Sequence, residues 1–276
     1  MSKVWLITGA NRGLGRAFAE EAASRGDMVI AGMRQISAEA FFQQDNVLAV
    51  EMDVTKKEQV QRAVAKGKEK FGRIDVLVNN AGFGMSGAFE EVSDEELRNL
   101  MEADYFGVVN VTREVIPVMR QQNSGRILNI ASQGGLMAYT GSTAYCSAKF
   151  AVVGLSLALR EELAPFGIEV SAVCPGSFRT DFRDASSMRM PSKPMTEYKD
   201  SPVNDVKEFL NNNNHKQEGD PQKAAAFIWE MVQREDLPKR ILIGEKCCEQ
   251  VRADLLSQMD EIENYRDISS KTDFAD

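Results

Sequence analysis

The sequence predicts a doubly wound α/β fold, with a parallel sheet of about seven strands and helices on both faces. Three observations predict it. Short β-branched runs alternate with longer segments whose apolar residues recur at helical spacing, the signature of βαβ units. A glycine-rich turn joins the first such run directly to the first helical segment. No proline- or serine-rich linker divides the first 180 residues. The strand candidates in order are Val4 to Thr8, Met28 to Met33, Val47 to Met52, Ile74 to Asn79, Arg126 to Ala131, Glu169 to Cys174 and Arg240 to Ile243. The helical segments between them run about Leu14 to Arg25, Lys57 to Phe71, Glu95 to Gln121, Ala144 to Phe166 and Pro221 to Gln233.

Two segments break this rhythm. Residues 183–220 concentrate Pro, Met, Ser and Asn, and are read as a lid or substrate loop. Residues 245–276 are acidic, with a helical pattern through Val251, Leu255, Met259 and Ile262; a surface helix packed back on the domain is expected. The 276 residues therefore read as a single domain, 1–276, with a substrate loop and a C-terminal helical tail.

Composition narrows the function classes. A net charge of −8 argues against a general nucleic-acid or anionic-membrane binder, which needs a basic face. The lone His215 excludes multi-histidine zinc centres and disfavours a Ser-His-Asp triad, so no metal is expected. Four cysteines lack metal-ligand or CxxC spacing and read as free thiols of a reducing compartment. No signal-peptide core and no membrane span is evident. A cytoplasmic location is the expectation.

The first strand ends in Thr8-Gly9-Ala10-Asn11-Arg12-Gly13-Leu14-Gly15. Glycines at such a junction let backbone approach a pyrophosphate, and the following helix start offers it unpaired N–H groups and positive dipole. Further marks follow in order at strand ends: Asp53-Val54, Asn79-Asn80-Ala81-Gly82, Ser132, Tyr145-x-x-x-Lys149, then Pro175-Gly176 with Thr180. Together they resemble the short-chain dehydrogenase/reductase family, closely over residues 3 to 182 and more loosely beyond. Details around Ser132 and Tyr145 also resemble its hydroxysteroid- and retinol-dehydrogenase branch.

The resemblance implies a Rossmann-like sheet and a bound nicotinamide cofactor. Gly9, Asn11, Arg12, Gly13, Leu14 and Gly15 would hold its phosphates. Asp53 and Val54 would flank the adenine, Asn80, Ala81 and Gly82 would pass the ribose, and Pro175, Gly176 and Thr180 would hold the carboxamide. It also implies a homodimer or homotetramer, commonly through the fourth and fifth helices. Cofactor choice turns on the end of the second strand. Met33 stands where an NAD enzyme typically carries an acid, and Arg34 follows. A guanidinium binds a 2′-phosphate in a fork, and Arg12 could reach the same group, so NADP(H) is expected over NAD(H).

The chemistry is expected from Tyr145, Lys149 and Ser132. Tyr145 and Lys149, four apart, project from one helix face. A free tyrosine titrates near pH ~10, and a nearby ammonium lowers that value, leaving a group that gives or takes a proton at a carbonyl or alcohol. Lys149 resembles the family lysine that also holds the ribose. The Ser132 hydroxyl can polarise the substrate oxygen. There is one departure. Where the family usually has an asparagine three residues before a glycine, this chain has Asp104 before Gly107. It accepts hydrogen bonds but cannot donate them; it could hold a water or pair with Lys149, altering the proton relay. Asn110 lies too far round the helix to replace it.

Specificity is expected from Leu136, Met137 and Tyr139, from Phe83 to Met85, and from Phe178, Phe182, Met188 and Met190. Methionine-rich surfaces adapt to irregular apolar shapes, which favours a hydrophobic ketone or aldehyde reduced reversibly to its alcohol. Two alternatives stand beside this reading: a nucleotide-sugar epimerase or dehydratase, and a cofactor-binding sensor or scaffold with impaired chemistry.

Overall fold

A computed structural model describes residues 2–274. Its central sheet contains β1 (Val4–Thr8), β2 (Met28–Met33), β3 (Val47–Glu51), β4 (Val76–Asn79), β5 (Gly125–Ile130), β6 (Ile168–Pro175) and β7 (Arg240–Ile243). The seven strands are parallel in the order β3-β2-β1-β4-β5-β6-β7. Helices α1 (Gly13–Ser24), α2 (Lys57–Phe71), α3 (Asp94–Met101), α4 (Gly107–Gln122), α5 (Thr143–Leu163), α6 (Pro202–Asn212), α7 (Pro221–Gln233) and α8 (Glu245–Ser269) complete the fold.

All five β1 residues are buried because the sheet is covered on both faces. Side chains alternate between those faces. Trp5 and Ile7 join a core with Phe18 of α1 and Ile228 of α7. Val4 and Leu6 join the opposite core with Val64 of α2, Val115 of α4 and Leu163 of α5. The chain leaves β1 toward β2 and β3, then returns to β4 on the other side of β1. That reversal opens a crevice at the carboxyl ends of β1 and β4, the place where open α/β sheets bind ligands.

Three local features differ from the expected pattern. The single helix expected over 95–121 is α3 and α4 joined by a π-helical turn, Glu102–Phe106. Residues 183–220 are not one loop, because they contain α6 and a short strand, Met188–Arg189, paired with Gly84–Met85. The C-terminal helix forms, but beyond Val251 it does not pack back on the body.

Candidate active site

The glycine turn and the Asn79–Gly82 segment meet in the crevice. The Thr8 hydroxyl accepts N–H bonds from Asn80 and Ala81, both 2.9 Å. The Asn80 amide donates back to the Thr8 carbonyl at 3.0 Å. Gly15 has to be glycine, since a Cβ there would stand 2.3 Å from the Asn80 amide and 2.4 Å from the Gly9 carbonyl. Gly13 and Leu14 begin α1, which has no side-chain cap and no acid in its first turn. Its first amides are therefore open to an outside anion. Thr180 lies across this turn, its Cβ 3.7 Å from where a Gly13 Cβ would be.

At the sheet edge, Met33 is 1 % exposed within the core, so no carboxylate stands at that strand end. Arg34 is exposed, and among the described residues no carboxylate pairs with it. Arg12 points elsewhere than expected. Its guanidinium donates to the Ser186 hydroxyl at 2.6 Å and the Ser186 carbonyl at 3.0 Å, tying the glycine turn to the substrate-side segment. One Asp53 oxygen caps the Thr55 amide and hydroxyl, at 3.0 and 2.8 Å. Val54 packs against Gly107, and Asn110 donates to the Val54 carbonyl at 3.0 Å. Gly176 continues β6 with an N–H bond to the Ile243 carbonyl, 2.9 Å. Asn11 is exposed.

Asn79 braces the sheet beneath. Its amide donates to Thr112 at 2.9 Å and to Asn129 at 2.8 Å, and Asn129 donates to Ser156 at 2.9 Å. This buried ladder locks β4 and β5 to α4 and α5. Of these, α5 carries Tyr145 and Lys149, and α4 continues directly from the π turn that carries Asp104.

The first turns of α5 bring Tyr145 and Lys149 beside Ser132, which follows β5. The Lys149 ammonium donates to the Ile130 carbonyl at 3.2 Å and lies 5.7 Å from the Tyr145 ring centroid. Its Nζ also stands 3.1 Å from Asp104 Oδ2, with side-chain exposures of 6 % and 0 %. The π turn explains this approach. The Gly107 amide bonds to the Glu102 carbonyl, five residues back, and the widened turn directs Asp104 inward, a device common at functional sites. The other carboxylate oxygen accepts the Phe83 amide at 3.0 Å. Gly82 makes room, since a Cβ there would lie 2.9 Å from Asp104 Oδ2. Of the two roles open to Asp104, pairing with Lys149 is the one the structure displays.

Burial governs the titration of this cluster. It raises the Tyr145 phenol, and the Lys149 charge and Ser132 hydroxyl lower it only in part, while Asp104 raises it further. Complete burial also pushes Asp104 up, against the pull of Lys149. On Lys149 burial lowers the pKa, but the Asp104 carboxylate prevails and the ammonium is held above its ordinary value. Tyr145 is therefore a protonated donor at neutral pH, facing a cation whose charge is partly offset.

The substrate side is apolar. Phe83 and Met85 pack with Tyr145, Phe182 lies tilted with its ring 6.0 Å from the Tyr145 ring, and Met188 covers Gly84. Phe178 and Leu136 turn instead into the two nearby cores. Burial raises the Tyr139 phenol strongly. Sequence reading missed Gln133, 8 % exposed, which donates to Gln250 of α8 at 2.6 Å. Its position next to Ser132 was a signal, but its partner lies 117 residues away. The lone His215 bonds Asp184 at 2.9 Å.

The short chain dehydrogenase family profile matches residues 3–190. The chain belongs to the short-chain dehydrogenase family. Oxidoreductase BOA17 of Botryotinia fuckeliana is 38% identical over 275 residues, covering 98% of both chains. A 3-ketodihydrosphingosine reductase of Bacteroides thetaiotaomicron is 36% identical over 88% of each. A solved short-chain dehydrogenase from Streptomyces avermitilis superposes with a TM-score of 0.90 at 37% identity, covering 99% of this chain and 100% of that one. Among the described residues of this family member, no helix is long and apolar enough to cross a membrane.

Proposed function

We propose that this chain is an NADPH-dependent carbonyl reductase that reversibly converts a hydrophobic ketone or aldehyde to its alcohol. The observation that carries the reading is the convergence of Ser132, Tyr145 and Lys149, in a chain whose α1 start is uncapped. The residues fit a nicotinamide dinucleotide. The open α1 amides suit its pyrophosphate, Thr180 and the Pro175-Gly176 backbone its carboxamide end, and Lys149 its ribose. The bound cofactor supplies the hydride.

Ser132 holds and polarises the substrate oxygen. Tyr145 gives that oxygen its proton during reduction and removes it during oxidation. Lys149 stabilises the phenolate left behind, and Asp104 moderates that effect by offsetting the ammonium charge. Phe83, Met85, Phe182 and Met188 exclude water around Tyr145 and accept an apolar substrate. The 3-ketodihydrosphingosine reductase among the relatives supports a ketone substrate. The test is consumption of NADPH and NADH across a ketone panel, with Tyr145→Phe as control. Cofactor binding without oxidation on any ketone favours the sensor reading, to which the Asp104–Lys149 pair lends its one observation.

Arg34 supports NADPH, being exposed with no carboxylate partner beside a strand end that carries no acid. Arg34→Glu is expected to lower kcat/KM for NADPH relative to NADH by roughly tenfold to a hundredfold, the size of a lost charge-assisted bond plus repulsion. An unchanged ratio removes Arg34 from cofactor selection.

Asp104 raises the Tyr145 phenol, so Asp104→Asn is expected to lower the phenol's pKa. The rise of alcohol oxidation with pH then begins about one pH unit earlier. A superimposable pH profile rules Asp104 out of the relay.

A further inference from the structure

Ser132 opens a single 3₁₀ turn, Gln133–Gly135. Its two glycines let the turn lie against the helix that carries the proton-transfer pair. A Cβ at Gly134 would stand 3.5 Å from a Tyr145 ring carbon, and one at Gly135 only 2.7 Å from the Lys149 carbonyl oxygen. Gln133 is the only side chain this turn carries.

The two ends of the Gln133 amide are treated differently. Its nitrogen donates to Gln250 Oε1 at 2.6 Å and to the Met137 sulfur at 3.4 Å. A thioether accepts and does not donate, so turning the amide over would set oxygen against sulfur. The nitrogen is thereby fixed on that side, and the oxygen faces the other way. There it lies 3.8 Å from the position that a Gly176 Cβ would take. Among the described residues nothing donates to this oxygen, although Gln133 is only 8 % exposed. A buried amide oxygen normally has a partner, and leaving it without one is costly. The start of α8 holds the arrangement in place, because Cys247 and Val251 on either side of Gln250 are buried against the body.

We propose that Gln133 is a specificity residue whose Oε1 accepts a hydrogen bond from a donor, such as a hydroxyl, that the substrate carries next to its carbonyl. Gln250 is the positioning residue that holds the amide in that orientation. The inference rests on the reductase reading above, in which Ser132 takes the carbonyl oxygen, so that its neighbour in sequence meets the adjoining carbon's substituent. In the same reading the cofactor carboxamide is served by Thr180 and the Pro175-Gly176 backbone, which leaves this oxygen to the substrate. The side chains of Phe83, Met85, Phe182 and Met188 offer a substrate donor no oxygen. Without Gln133 such a donor would be buried unpaired, at a cost.

The test compares, on the full chain with NADPH, acetophenone, its hydroxylated derivative phenacyl alcohol, and the methyl ether of that alcohol. The ether matches the alcohol in electron withdrawal but has no donor. The unmodified protein is expected to favour the alcohol over the ether by about tenfold in kcat/KM, the size of one neutral hydrogen bond, expressed mainly in KM. Gln133→Leu brings the two to parity. Gln250→Leu keeps Gln133 but frees its amide, and lowers the preference; Gln250→Glu keeps an acceptor for the nitrogen and retains it. A purely structural role for Gln250 would instead slow all three ketones alike, and that result overturns its part. A preference that is the same in the unmodified chain and in Gln133→Leu overturns the proposal and leaves the reductase reading standing. So does a Gln133→Leu chain that keeps the preference but loses NADPH affinity, which assigns the oxygen to the cofactor. If none of the three ketones is reduced the proposal falls, and the reductase reading falls with it only when the wider ketone panel is also untouched.

Discussion

Replacing Tyr145 with phenylalanine is expected to lower turnover by about a thousandfold while cofactor affinity is retained, within the range typical of removing one general acid–base group. That loss corresponds to roughly 4 kcal/mol of transition-state stabilisation. The ring stays, so its packing against Phe83, Met85 and Phe182 is kept and the fold is undisturbed. The pH dependence of the unmodified protein follows from the same residue. Burial raises the phenol above its ordinary value, so the protonated form persists across neutral pH. Ketone reduction, which needs that proton, stays flat there and declines only in the alkaline range. Alcohol oxidation needs the phenolate and climbs with pH. Steady-state rates in both directions, with Tyr145→Phe beside the unmodified chain, check both statements. Full activity in the variant defeats the proposed mechanism.

Lys149→Met is expected to be as damaging to turnover and also to stability. It removes the cation beside the Tyr145 phenol, and it strands a fully buried carboxylate left with the Phe83 amide and the weaker pull of Arg189. Breaking a buried ion pair from one side costs about 3–5 kcal/mol, which for a chain of this length is a melting-temperature drop of roughly 10 °C. The sign with pH is specific. Burial already raises the Asp104 pKa, and without the opposing ammonium the folded state favours the protonated acid still more. The unfolded chain titrates in the ordinary carboxylate range. The Asp104 contribution to the variant's stability is therefore greatest in acid and is lost as pH rises through the raised Asp104 pKa. Lys149→Met combined with Asp104→Asn removes the stranded charge, and recovers most of the stability without recovering turnover. Melting curves from acid to alkaline pH, measured on both variants, separate the two effects. A pH-independent loss in Lys149→Met contradicts a buried Asp104–Lys149 pair.

Much of the fold was legible because its determinants are local. Four apolar residues and a threonine at Val4–Thr8, followed by a glycine turn, specify a buried strand entering a helix whatever lies elsewhere. The same holds for each strand–helix pair, and boundaries moved by up to three residues. The interruption between α3 and α4 was not legible. A π turn preserves the apolar spacing on either side, and what it serves is a tertiary contact, the buried meeting of Asp104 with the Phe83 amide and Lys149. Nor was α6, because the Asn-rich stretch that ends it masks the helical pattern of Pro202–Asn212. Arg12 looked free to meet a phosphate from its neighbours in sequence; Ser186, 174 residues on, engages it instead.

By itself the sequence determined the strand order of motifs, the glycine turn that only a close backbone approach requires, and the Tyr145–Lys149 spacing that puts both groups on one helix face. These depend on periodicity and on residue chemistry within a few positions. The tertiary structure alone decided that Asp104 offsets Lys149, that Gln133 meets Gln250, and that α8 leaves the body after Val251 with its apolar face uncovered. Each of these depends on where distant segments meet, and on how deeply that meeting buries a charge or leaves an apolar surface in water.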